Sequence, residues 1–134
     1  MKKVLLAVLM VLMISSLSFA SDFVFNPPAT NADGLPIPET WESQLAYKFY
    51  CGFASQNYHI ESYAGHLEPN AQNDCLYPIN SVIPADGIWY CAATAYYLFD
   101  ITQESAKSNE VFFVVSGGVV PSVAPGKLNL RFKK

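Results

Sequence analysis

Three observations predict an all-β domain. Residues 88–97 alternate one by one, with Trp89, Cys91, Ala93 and Ala95 on one side and Tyr90, Ala92, Thr94 and Tyr96 on the other. Residues 45–51 repeat the pattern, Tyr47, Phe49 and Cys51 facing one way and Lys48 and Tyr50 the other. Residues 110–115 form a short β-branched and aromatic run, and Asp86-Gly87 and Ser108-Asn109 supply turn residues at the boundaries. Period-two alternation between turn residues is the pattern of strands with one face on a core. Abundant Tyr and Phe with few Lys agree with it.

Residues 1–20 read as a leader rather than part of the fold. Lys2 and Lys3 precede an apolar run at residues 4–14, and Ser18-Phe19-Ala20 offers small residues for cleavage after Ala20. That run is short for a membrane span, and no cysteine at the cleavage point indicates a lipid anchor. No membrane span is expected once the leader is removed. Residues 21–134 are sized for one domain, and a domain of about 100 residues buries a core without a metal or a dense disulfide framework. The formal net charge of −3 and the absence of Lys/Arg clusters argue against nucleic acid as a partner. Export implies an oxidising compartment, so the three cysteines allow one disulfide and leave one thiol.

Taken in order, residues 23–25 begin the first strand. Asn26-Pro27-Pro28 and Thr30-Asn31-Ala32-Asp33-Gly34 form a loop, because proline fixes φ and Asp-Gly tolerates positive φ. Residues 58–63 read as the strand after 45–51, and residues 68–74 as a polar turn. Residues 75–82 make a weaker strand, demoted to an edge or bulged position by Pro78. Residues 83–87 form the corner before the strand at 88–97. A linker starts at Ser116-Gly117-Gly118, and the tail beyond it sets Leu128, Leu130 and Phe132 against Asn129 and Arg131.

Several of these residues carry a family resemblance. Gly87, Trp89, Tyr90, Ala92, Ala93, Thr94, Ala95 and Tyr96, then Glu104, Ser105, Ser108, Asn109, Glu110 and Val111, resemble the last two strands of bacterial or phage-type fibronectin type III domains. Pro27, Pro28, Thr30, Asn31, Ala32, Asp33, Gly34, Pro36 and Ile37 match that family's early loop, with Phe25 where it has tryptophan. The resemblance covers residues 23–115. It implies an immunoglobulin-like β-sandwich of six or seven strands at residues 21–115, exported from a bacterial or phage reading frame, with residues 116–134 as linker and tail. Trp89 stands where the family has a corner tyrosine that bonds back across the turn. The family's first strand is missing here, and residues 127–132 are shaped like one.

The resemblance also places Cys51 and Cys91 on neighbouring antiparallel strands, core-facing and near one pole. That implies a bridge, with two buried thiols as the alternative; Cys75 begins its strand nearer the other pole and is expected to be unpaired. Catalytic motifs are absent, and no cofactor or metal is expected. His59, His66, Glu61, Glu68 and Asp74 read as solvated residues rather than a metal site. Two loops exceed the family's usual length, residues 38–44 and 97–103, and the resemblance brings them to one pole. Trp41, Tyr97, Leu98, Phe99 and Ile101 would make an aromatic binding patch there for a protein or glycan surface partner, or would fold back to cap the core.

The expected function is a secreted, non-enzymatic binding or adhesion module. The alternative is a structural subunit that self-associates by strand addition of Leu128, Leu130 and Phe132 into the open edge of itself or a neighbour.

Overall fold

The computed structural model describes residues 22–119 and 126–132. The leader and the middle of the linker lie outside these residues. The chain forms a β-sandwich. One sheet joins β1 (Asp22–Phe25), β4 (Cys75–Pro78) and β8 (Lys127–Leu128), with β1 central. The other joins β3 (Ile60–Gly65), β2 (Leu45–Gly52), β5 (Gly87–Tyr97), β6 (Asp100–Glu104) and β7 (Val111–Val115). β5 is its spine, pairing with β2 along one side and with β7 and then β6 along the other.

The alternation read from the sequence is what closes the core. Trp89, Cys91, Ala93 and Ala95 of β5 and Tyr47, Phe49 and Cys51 of β2 are buried in one cluster with Phe23 and Phe25 of β1. Phe23 stacks on Phe49 at 4.7 Å between centroids, and Phe25 packs at 4.7 Å on Tyr47. Offset and tilted pairs of this kind add to the area they bury. Trp89 spans the corner: its indole N–H donates to the carbonyl of Ala85 at 2.9 Å. A buried tryptophan needs such a partner for its only polar atom.

Cys51 and Cys91 stand directly opposite in the β2–β5 register and are joined by a disulfide, with Cα atoms 4.2 Å apart. Cys75 is a buried free thiol beside Phe25 of β1, with Sγ 3.6 Å from the carbonyl of Leu67. Burial raises its pKa and keeps it protonated.

Between β6 and β7 the chain bows away from β5, and two serines continue the ladder. Ser105 N–H donates to the Ala95 carbonyl at 2.7 Å and its hydroxyl accepts from Ala95 N–H at 2.8 Å. Ser108 does the same with Ala93 at 2.8 and 2.9 Å. Without these hydroxyls two strand amides would be left unpaired, at a cost of about 1–3 kcal/mol each. The Glu-Ser-Ala-Lys-Ser-Asn-Glu stretch thus has a structural reason in its serines.

Four boundaries differ from expectation. The strand expected at 58–63 runs Ile60–Gly65, because residues 53–58 form a turn with a bridge between Ala54 and Asn57. The strand expected at 75–82 ends at Pro78 and passes into a 3-10 turn, Ile79–Ser81, whose Ile79 is buried. Residues 38–44 contain one helical turn, α1 (Glu39–Glu42). Residues 97–103, expected as a loop, are the end of β5, a turn at Leu98 and Phe99, and β6. No glycine or asparagine marks that turn; Asp100 organises it instead, accepting from Thr102 N–H at 3.1 Å and from Thr102 Oγ1 at 2.6 Å.

The tail lies in its own molecule. β8 pairs with β1 in parallel, Val24 opposite Lys127 and Phe25 opposite Leu128. Leu128 and Leu130 are buried, while Asn129 and Arg131 are exposed, so the alternation holds here too. Asn109 straps this segment twice, donating to the Lys127 carbonyl at 3.1 Å and accepting from Asn129 N–H at 2.8 Å. Lys127 Nζ is 3.0 Å from Asp74 Oδ1.

Candidate functional site

The aromatic pole is assembled by α1 and the β5–β6 turn. Leu98 N–H donates to the Gln44 carbonyl at 2.8 Å, which fastens the turn beside the helix. Trp41 meets Tyr97 edge-on at 5.6 Å and Phe99 at 5.2 Å, and Phe99 stacks on Tyr97 at 4.8 Å. A fourth ring comes from the tail: Phe132 lies parallel to Tyr97 at 5.1 Å. The members divide by burial. Tyr97 is fully buried, and its hydroxyl donates to Asn31 Oδ1. Burial, seconded by the Asp33 carboxylate, raises its pKa, so the phenol stays neutral. Trp41 is 38% exposed, and Leu98, Phe99 and Ile101 are exposed, Ile101 at 70%. Tyr97 is therefore the base of the cluster, and Leu98, Phe99 and Ile101 its outward surface. Asn31, Asp33, Trp41, Gln103, Glu104 and Phe132 line a cavity of about 430 Å³ beside it.

A second cluster, not foreseen from the sequence, covers the outer face of β2, β3 and β5. Lys48 is only 8% exposed. Its Nζ is 3.0 Å from Glu61 Oε2 and 4.8 Å from the ring centroids of both Tyr50 and Tyr63. Burial alone would lower the lysine pKa, but hydrogen bonding with Tyr50, Glu61 and Tyr63 outweighs it and the pKa rises. Lys107 Nζ sits 4.5 Å from the same Tyr50 ring. The Tyr50 hydroxyl donates to Glu104 Oε1 at 2.5 Å, and Thr94 Oγ1 donates to that oxygen at 2.8 Å. Alternation marks Lys48 and Tyr50 only as residues of the non-core side; nothing in that pattern says the side is itself packed.

Glu110 is the hub of the neighbouring 53–58 turn. It accepts from Ser55 Oγ at 2.6 Å, Gln56 N–H at 2.8 Å and Tyr58 OH at 2.6 Å. Partial burial pushes its pKa up, but the three donors pull harder and the net shift is downward. Tyr58 responds in the opposite direction, its pKa raised by burial and by the carboxylate it donates to.

The residues weighed as metal ligands are engaged elsewhere, and only His66 and Glu68 among them meet. His59 packs on Phe53 at 5.0 Å and Trp89 at 5.7 Å. His66 places Nδ1 2.6 Å from the Leu45 carbonyl and Nε2 2.7 Å from Glu68 Oε1. Burial lowers its pKa, yet the carboxylate and carbonyl outweigh that and the net shift is upward; protonation lets both ring nitrogens donate. Asp74 is paired with Lys127. Among the described residues no three His, Cys, Asp or Glu side chains are grouped to hold a metal ion, and no helix is long and apolar enough to cross a membrane. No protein family, curated protein or solved structure matches this chain.

Proposed function

We propose that this chain is an exported, non-enzymatic binding module of fibronectin type III kind, which engages a surface partner through the pole at Trp41, Leu98, Phe99 and Ile101. The observation that carries the reading is the division of that cluster. Phe99 and Ile101 face outward on a base held by buried Tyr97 and by the Leu98–Gln44 hydrogen bond. Exposed apolar side chains on a rigid support are what interaction sites use, because little entropy is lost on ordering them. The aliphatic members, Leu98 and Ile101, favour a protein surface over a sugar. The disulfide and the leader residues support export. The Trp89–Ala85 hydrogen bond supports the fibronectin type III reading, since it spans the corner where that family uses tyrosine.

The test is binding of labelled residues 21–134 to cells that carry the reading frame. Replacing Phe99 and Ile101 together by serine is expected to reduce binding at least about tenfold, as for the loss of an interface centre, with the thermal midpoint little changed. Equal binding by the variant rejects this pole as the site.

A second reading, a subunit assembling by strand addition, rests on β8. The slot that receives Leu128 on β1 would accept the same strand from a neighbour, in a head-to-tail contact that need not close. Gel filtration across a wide concentration range is the check: growth of oligomers with concentration supports exchange, and a monomer throughout excludes it.

A further inference from the structure

The pole leaves a second surface unused. Tyr50, Gln56, Asn57, Tyr58, Glu61 and Lys107 line a cleft of about 630 Å³, open along one side, between the 53–58 turn and the segment leading into β7. It lies toward the Gly52 end of β2, whereas the pole lies at the Leu45 end. At about 3.3 Å per residue the two are separated by most of the strand's length.

The cleft is built rather than incidental. Gln56 holds a left-handed backbone, φ 60°, which a non-glycine residue adopts at a cost. Glu110 holds it there through the Gln56 N–H, and Ser55 and Tyr58 complete the same carboxylate. Gly52 lets the turn fold back over β2: a Cβ at that position would sit 2.0 Å from the Asn57 carbonyl oxygen.

Its chemistry narrows the ligand. The Tyr50 ring already has Lys48 at 4.8 Å and Lys107 at 4.5 Å, so an incoming ammonium group would meet two cations. Glu104 and Glu110 are occupied by hydroxyl and amide donors, and Lys48 is paired with Glu61. Lys107 alone has no carboxylate partner among the described residues, and its ammonium rests over the Tyr50 ring, so the site holds one cation rather than a cluster of one sign that would select a strongly charged ligand. What remains are the side-chain amides of exposed Gln56 and Asn57, which make no hydrogen bond among the described residues, together with the half-buried Tyr58 ring and the Lys107 stem. Amides beside an aromatic face match a molecule with ring hydroxyls along its rim and C–H bonds on its faces.

We infer that the cleft beneath the 53–58 turn binds a neutral oligosaccharide, seated on Tyr58 and hydrogen-bonded by Gln56, Asn57 and Lys107. The site is separate from the aromatic pole and does not depend on it. The test is nuclear magnetic resonance of isotope-labelled residues 21–134, titrated with cellohexaose, chitohexaose and mannohexaose, each to about 10 mM, which nearly saturates a site with a dissociation constant of about 1 mM. Saturable shifts confined to residues 56–61 and 107–110 with at least one of the three are expected. Asn57→Ala and Lys107→Ala, which leave the Glu110 hub intact, should each weaken binding several-fold while the rest of the spectrum is unchanged. Phe99→Ser with Ile101→Ser should leave it unaltered. Absence of shifts with all three sugars overturns the inference, as do shifts that map to Trp41 and Phe99.

Discussion

Leu128→Ala is expected to lower the stability of the mature domain by about 2–5 kcal/mol, the range for a large-to-small change at a fully buried position. Leu128 has no exposed surface, and it fills the slot beside Phe25 in the β1 register. A domain of this size is stable by only about 5–15 kcal/mol. The loss therefore corresponds to a fall in thermal midpoint of roughly 8–40 °C at about 4–8 °C per kcal/mol. Arg131→Ala, three residues on and exposed, should shift the midpoint by no more than the ±0.5 kcal/mol usual for surface sites. Thermal unfolding of the two variants side by side is the measurement. Equal, small effects would show that the tail is an appendage; a large gap shows that it is core.

Replacing Cys51 and Cys91 together by alanine should produce a loss of similar size. The bridge closes a loop with a sequence separation of 40, for which chain entropy gives about 4 kcal/mol at 25 °C. Alanine is already tolerated on the same core face of β5, at Ala93 and Ala95, so the double variant should fold with a small cavity rather than an inserted polar group. Denaturant midpoints of the oxidised protein and the double variant measure the effect. Cys75→Ala is the control: it should remove the single free thiol found by mass spectrometry and leave the bridge in place. A midpoint unchanged by the double substitution would mean that the bridge carries no stability in solution.

The sequence disclosed the sheet faces well because side-chain period is set by the pleat itself. Trp89, Cys91, Tyr47 and Phe49 could not be moved to the other face without a register slip that would expose them all. The Cys51–Cys91 pairing was implied by the family resemblance, with two free thiols as the alternative, and the β2–β5 register sets the two residues opposite each other. Less was legible where polar groups do the organising. Residues 97–103 fold as a hairpin because Asp100 caps Thr102 and Leu98 bonds to Gln44, neither of which leaves a glycine or proline signature. The outer-face cluster was hidden for a related reason. Lys48 reads as solvated by type, but Tyr50 and Tyr63 flank it and Ala46, Ala92 and Thr94 give a low floor on which long side chains lie flat. Strand-like alternation in residues 127–132 was plain, but its direction was not. Alternation is the same read forward or backward, and the parallel pairing with β1 depends on where the linker delivers the chain.

That parallel strand has a consequence for the order of events during synthesis. Val24 and Lys127 are neighbours although roughly a hundred positions separate them, the kind of contact that slows folding because a long loop must close first. The first strand to emerge thus waits for the last described one. Until Leu128 arrives, β1 has β4 as its one neighbour in the sheet, and the slot beside Phe25 stays open. Completion of the three-stranded sheet therefore falls to the last described strand to be made, and the β1–β8 contact is the longest loop the chain has to close.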